Sequence, residues 1–295
     1  MLDYQALRAL AAVLRTGSFE GAAASLHVTP SAISQRIRGL EERLGEAVAV
    51  RAQPVRGTDI GLRLARHYEE VQLLESALGE ELAPSAPERP TLRIAANADS
   101  LITWFVEAMA GAGEVLFDIV IDDQDHSIEW LRRGEVSAAV TAHAAPAQGC
   151  DAIPIGSIRY RATASPDFMR RWFPNGVTAD ALTTAPALVY DRKDRLQARW
   201  AARATGSEPV LRAHWLPSTQ AFVLAARAGL GWGLNPEALV AEDLASGRLV
   251  ELVPDLPIET PLYWQSARRL GVAMAPVTRA VRAAASTSLI PPDPR

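Results

Sequence analysis

The chain has 295 residues, 48% of them hydrophobic, and 30 basic against 34 acidic side chains give a net charge of −4. That length allows about two or three folding units, no apolar run reaches the roughly 20 residues of a membrane span, and the start MLDYQALRAL lacks the basic-then-apolar pattern of an export signal. Cys150 is the only cysteine, which excludes an internal disulfide and makes a poor start for a zinc site.

Three short helices open the sequence. Leu7, Leu10, Ala11 and Leu14 fall at helical spacing, as do Phe19, Ala22, Ala23 and Leu26. Ser18 stands at the N-cap of the second helix. After a turn at His27 and Val28, Thr29 caps a third helix with Pro30 at its first position, Ile33, Ile37, Leu40 and Leu44 as its apolar stripe, and Gly45 as its stop. A turn this short between two helices is what a helix-turn-helix requires. The stretches AVAV and RAQPVRG predict a short strand pair, a wing. Thr58 then caps a long helix to about Leu82, on which Leu64, Val71 and Leu78 repeat every seven residues and Leu74 lies on a companion row. Such a seam suits a helix-helix dimer contact, although His67 and Glu81 interrupt it. The Pro-rich break PSAPERP (84–90) ends this unit.

From Thr91 onward strands and helices alternate, which predicts an α/β region. One block runs LRIAA, a helix over Ser100–Ala110, VLFDIVID, a helix ending in LRRG, and VSAAVTA. A second runs ALVYD, a helix over Leu196–Ala204, VLRAHWL, a helix over Ser218–Ala228, WGLN and RLVEL. PLYWQSA and a last helix over Ala275–Ala285 come late, as when a first subdomain is completed after the chain has visited a second. The expected boundaries are 1–57 for the winged helix-turn-helix and 58–90 for the linker helix and hinge. Residues 91–295 form the third region, with subdomain I at about 91–162 and 265–290 and subdomain II at about 163–264.

The acidic net charge hides a local difference. Residues 1–57 carry seven arginines against five acids, +2, and the remainder therefore −6; local charge decides whether phosphates are attracted. On the third helix Ser31, Ser34, Gln35 and Arg38 share the face opposite the apolar stripe. They are groups able to hydrogen-bond base edges or phosphates in a major groove. Arg36 flanks that face, and Thr29, Arg51 and Arg56 complete the expected DNA-binding set.

The stretch GSFEGAAASLHVTPSAISQRIRGLEERLGEAVAVR, followed by Thr58 and Gly61, resembles the N-terminal domain of LysR-type regulators. The order of linker helix and twin α/β subdomains extends the resemblance over essentially the whole chain. It implies an N-terminal all-α winged helix-turn-helix with a long linker helix, plus an α/β periplasmic-binding-protein-like effector domain of two subdomains. The implied partners are double-stranded DNA, a small-molecule effector, further copies of the chain in a homodimer or homotetramer, and RNA polymerase. One departure is Pro30, where many relatives carry a base-reading glutamine; Ser31, Ser34 and Gln35 must then read more. NADSLITW (97–104), LRRGEV (131–136), FPNGVT (173–178) and STQAFVLAARAG (218–229) narrow the resemblance to arginine- and lysine-responsive regulators of basic amino-acid export, also described as replication initiation inhibitors.

In such a fold ligands sit at the carboxyl ends of the strands. The first strand delivers Asn97, Asp99 and Ser100 there, the second Asp122, Asp123 and Asp125, and the ALVYD strand ends in Asp191. Ser218 and Thr219 open a helix whose free N–H groups favour an anion. Carboxylates beside such a helix start suit a zwitterion with an extra positive charge, with Asp123 first, Asp99 and Asp191 after it, and Ser100, Ser218 and Thr219 on the α-carboxylate. Asp99 as a helix N-cap is the plainer reading of that residue, and a solvated loop that of the consecutive aspartates.

No Gly-x-Ser-x-Gly elbow, phosphate loop or metal-spaced His pair is present, so neither an enzyme nor a cofactor or metal is expected, and the place is the cytoplasm. The alternatives are a regulator of the same type with a different effector and, from another class, a solute-binding protein or an enzyme.

Overall fold

The computed structural model describes residues 2–82 and 89–292. Most of the proline-rich break therefore lies outside the described residues. The chain divides into two compact units, residues 1–92 with 114–117 and residues 93–113 with 118–295.

The first unit opens with α1 (Tyr4–Thr16), α2 (Phe19–Ser25) and α3 (Pro30–Leu44). The caps read from the sequence are in place. Ser18 Oγ accepts from Gly21 N at 2.9 Å, Thr29 Oγ1 accepts from Ala32 N at 3.2 Å, and Gly45 ends α3 in the left-handed conformation. Asp3 caps α1 by accepting from Gln5 N and Ala6 N. Leu7, Leu10, Ala22, Ile33, Ile37 and Leu40 form one core. The wing is β1 (Ala49–Val50) paired antiparallel with β2 (Arg56–Gly57).

The long helix α4 (Asp59–Leu82) follows, capped by Thr58, whose Oγ1 accepts from Gly61 N at 3.2 Å and donates to Ala47 O at 2.8 Å. Gly61 is required here, since a Cβ would stand 1.8 Å from Val48 O. The seam expected on α4 is split by the structure. Leu64 packs against the core of the first three helices, whereas Leu74 and Leu78 are 37% and 57% exposed.

The second region contains β3 (Thr91–Ala96), α5 (Ala98–Ser100), a π-helical turn (Leu101–Phe105), α6 (Val106–Ala110), β4 (Leu116–Ile121), α7 (Ser127–Arg132) and β5 (Ala138–Thr141). It continues with β6 (Cys150–Ala164), α8 (Pro166–Trp172), α9 (Ala179–Thr184), β7 (Ala187–Val189), α10 (Leu196–Thr205), β8 (Ala213–Trp215) and α11 (Thr219–Arg227). It closes with β9 (Gly233–Pro236), α12 (Glu237–Ser246), β10 (Val250–Glu251), β11 (Ile258–Ala267), a 3₁₀ turn (Arg268–Leu270) and α13 (Gly271–Ser288). The helix expected over Ser100–Ala110 thus starts at Ala98. Asn97, not Asp99, holds the N-cap position, without a side-chain bond.

One seven-stranded sheet runs β10-β6-β11-β5-β3-β4, with β9 also on β6. Its two long strands organise it. β6 and β11 pair antiparallel from Tyr160 opposite Ile258 to Cys150 opposite Ala267. β11 also pairs antiparallel with β5, which lies parallel to β3; the far half of β6 carries β9 and β10. The small parallel pair β7-β8 is joined to Trp232 through a bridge at Ala187. Both groups of strands therefore share β6 and β11, and the ends of β3, β4, β7 and β9 face one cavity.

Candidate functional site

On α3, Ser31, Gln35 and Arg38 are exposed, with Ser34 half-buried beside them, while Ile33, Ile37 and Leu40 of the other face are buried. Exposure here follows from the helical period alone. Thr29 is exposed with its hydroxyl accepting from Ala32 N, so its first role is to start the helix. Arg36 is half-buried. Arg51 and Arg56, both exposed, lie on the wing, Arg51 with its guanidinium 5.9 Å from the Phe19 ring centroid.

The second unit holds a cavity of about 160 Å³. Asn97 and Asp99 reach it from the end of β3, Asp122 and Asp123 from β4, Tyr190, Asp191 and Asp194 from the turn after β7, Gln197 from α10, Asn235 from β9, Thr219 from α11, and Tyr160 from the middle of β6. At its centre Asp99 accepts from Tyr160 Oη at 2.7 Å and from Thr219 Oγ1 at 2.6 Å. Burial pushes the Asp99 carboxyl above the ordinary carboxylate range. The two hydroxyl donors pull it back, and repulsion from Asp194 raises it further. Burial also raises Tyr160, with the Asp99 charge adding to it, so this hydroxyl stays protonated as a donor.

Asp123 and Asp194 show the same trend. Burial raises Asp123, a bond from Asp125 N lowers it, and repulsion from Asp125 and Asp194 raises it again. Burial raises Asp194 although it accepts from Leu196 N at 2.8 Å and from Tyr190 N at 3.1 Å. Burial away from water is the main cause at all three acids, and the Asp194 charge adds to it at Asp99 and Asp123. A cation placed among them restores those charges.

Asp122 differs. Burial would raise it, but Trp130 Nε1 at 2.9 Å, the Asp123 amide and Lys193 Nζ at 3.2 Å bring it below the ordinary range. Asp191 accepts from Lys193 N at 2.7 Å and Asp194 N at 3.1 Å, folding the turn back on itself. Among the described residues no group of His, Cys, Asp and Glu could hold a metal ion, and no helix is long and apolar enough to cross a membrane.

Two family models divide the chain. Residues 4–62 match the bacterial regulatory helix-turn-helix of the lysR family, and residues 85–286 the LysR substrate binding domain. The chain belongs to the LysR family of transcriptional regulators. It is similar to the HTH-type transcriptional regulator LysG of Mycobacterium tuberculosis, 45% identical over 286 residues, 97% of this chain and 94% of the relative. It is also similar to ArgP of Pseudomonas aeruginosa, 44% identical over 298 residues, 98% of each. The solved structure of ArgP from Mycobacterium tuberculosis superposes with a TM-score of 0.80 at 43% identity, covering 99% of this chain and 100% of that one. Full-length LysG from Corynebacterium glutamicum with bound effector Arg gives 0.67 at 34% identity, covering 98% and 100%. As a LysR-type regulator the chain is a DNA-binding protein and not an enzyme.

Within this LysR-type frame Asn97, Asp99, Asp123, Asp191 and Thr219 are brought together around the cavity. Ser100 and Ser218 are not in its lining. Ser100 is fully buried, and the Ser218 hydroxyl caps α11 by accepting from Ala221 N at 3.3 Å. Thr219 donates its hydroxyl to Asp99 and does not hold it free for an anion. Sequence reasoning missed Asp194, Gln197, Tyr160 and Asn235. Asp194 was findable, three residues past Asp191 in DRKD; Tyr160 was hidden because the long β6 carries no turn signals.

Proposed function

We propose that this LysR-type regulator senses a basic amino acid, L-lysine or L-arginine, and in response controls the gene of an amino-acid exporter. One observation carries the reading: five aspartates, 99, 122, 123, 191 and 194, line a single cavity. An ammonium or guanidinium that leaves water needs charge-assisted acceptors, and Asp99, Asp123 and Asp194 are the acceptors whose own ionisation such a ligand would relieve. The similarity to a LysG described with bound Arg supports the same ligand class.

In this reading Ser31, Ser34 and Gln35 face base edges in the DNA major groove, Arg38 beside them and Arg36, Arg51 and Arg56 meet phosphates, and α4 pairs with its copy in a homodimer or homotetramer. RNA polymerase is the further partner and the cytoplasm the place of action. A thermal-shift screen of the full-length protein against the twenty amino acids tests it. Lysine and arginine raise the melting temperature and aliphatic amino acids leave it unchanged. Stabilisation by leucine or methionine, and not by lysine or arginine, overturns it.

A further inference from the structure

The charges around the cavity are one-sided. Five of the residues lining it carry carboxylates, and among the described lining residues there is no lysine, arginine or histidine. Lys193, the only lysine in the chain, is committed nearby, with its Nζ 3.2 Å from Asp122 Oδ1. The hydroxyls of Tyr160 and Thr219 are committed as well, both to Asp99.

A second observation points the same way. The amide oxygens Asn97 Oδ1, Gln197 Oε1 and Asn235 Oδ1 are buried and have no hydrogen-bond partner, on lining residues that are 3%, 2% and 0% exposed. A buried acceptor without a donor costs stability until a ligand supplies one. These three oxygens come from different elements: the end of β3, α10 and β9. Buried acceptors still lacking a donor thus stand on three of the elements that wall the cavity.

An α-amino acid with a basic side chain brings two N–H-rich cations and one carboxylate. The two cations match the lining; the carboxylate meets no side-chain cation and must be desolvated among acids, leaning on the amide groups at the start of α11. Its removal leaves a molecule complementary to the cavity throughout. We propose that the cavity takes a second class of ligand, the diamines and aminoalkyl guanidines, cationic at both ends and free of carboxylate. They occupy the same site as the basic amino acid, so this rests on the cavity being that amino acid's site.

Calorimetry on the full-length protein tests it, with cadaverine against lysine and agmatine against arginine. The control, 6-aminohexanoate, keeps lysine's carboxylate and terminal amine but lacks the α-amine. Cadaverine and agmatine bind within about tenfold of their parent amino acids, are displaced by them, and 6-aminohexanoate binds more than about tenfold more weakly than cadaverine. Either parent binding more than about tenfold tighter than its decarboxylated counterpart overturns the proposal. So does 6-aminohexanoate matching cadaverine, because the carboxylate is then what the site holds. Diamine binding that lysine does not displace lies at another place and overturns it too. If none of the parents or counterparts binds, the reading of the cavity itself fails, and the proposal with it.

Discussion

Asp123 stands at the end of β4 with one oxygen accepting from Asp125 N and the carboxyl partly open to the cavity. Asp123→Asn keeps the shape and loses the charge. It weakens lysine or arginine binding by about 1.5–3 kcal/mol, the range for a hydrogen bond to a charged group, and leaves DNA binding without effector intact. Binding also follows pH with a definite sign. Asp99, Asp123 and Asp194 are raised in the folded, ligand-free protein. What they contribute to folding is present below the ordinary carboxylate value and is lost as pH rises through their raised values. A bound cation favours the ionised forms, so affinity climbs as pH rises from the ordinary carboxylate value through the raised values of these groups, and protons are released on binding. Calorimetry in buffers of different ionisation enthalpy measures that release in wild type, and Asp123→Asn reduces it. An affinity independent of pH contradicts the assignment. At this scale the sequence revealed those acids that end a predicted strand. Asp194 escaped because the turn after β7 folds back through Asp191 before reaching it, and Ser218 was misplaced because its hydroxyl serves the helix it begins.

The helices of the first unit were legible because periodicity and caps coincide in them: Ser18, Thr29 and Thr58 each bond the backbone they were expected to bond, whereas α8, α9 and α12 were not foreseen. The strand β6 was not legible, since fifteen residues interrupted by Pro154 and Gly156 offer neither alternation nor a boundary. On α3 the polar face carries the DNA prediction. Arg38→Ala weakens binding to all DNA and lowers the slope of log affinity against log salt by about 1; a slope equal to wild type places that face away from the phosphates. On α4 Leu64 is partly buried against the helix-turn-helix core. Leu74 and Leu78 remain exposed, and apolar rows of this kind on a long helix suit a second helix. Replacing both with Asp yields monomers by light scattering while the circular dichroism spectrum is kept. A double variant that stays dimeric at low concentration puts the interface elsewhere.

Across the whole molecule, charge separates by function. The first 57 residues are net positive and the rest net negative, so the part that meets phosphate is not the part that meets a cation. The late return of the chain was readable from order alone, because PLYWQSA comes after the second block and becomes β11 beside β5 and β6. That β6 and β11 both run through the two groups of strands was not readable, for register between distant strands is fixed by packing. The shared strands bring Asp99 and Thr219, 120 positions apart, to 2.6 Å. Charge recognition in that cavity is tested most directly by lysine against norleucine, because the two differ at the end of the side chain by an ammonium in place of a methyl hydrogen. Calorimetry on the full-length wild type shows lysine binding at least about a hundredfold tighter than norleucine, a difference of about 2.7 kcal/mol; norleucine binding as tightly as lysine contradicts it.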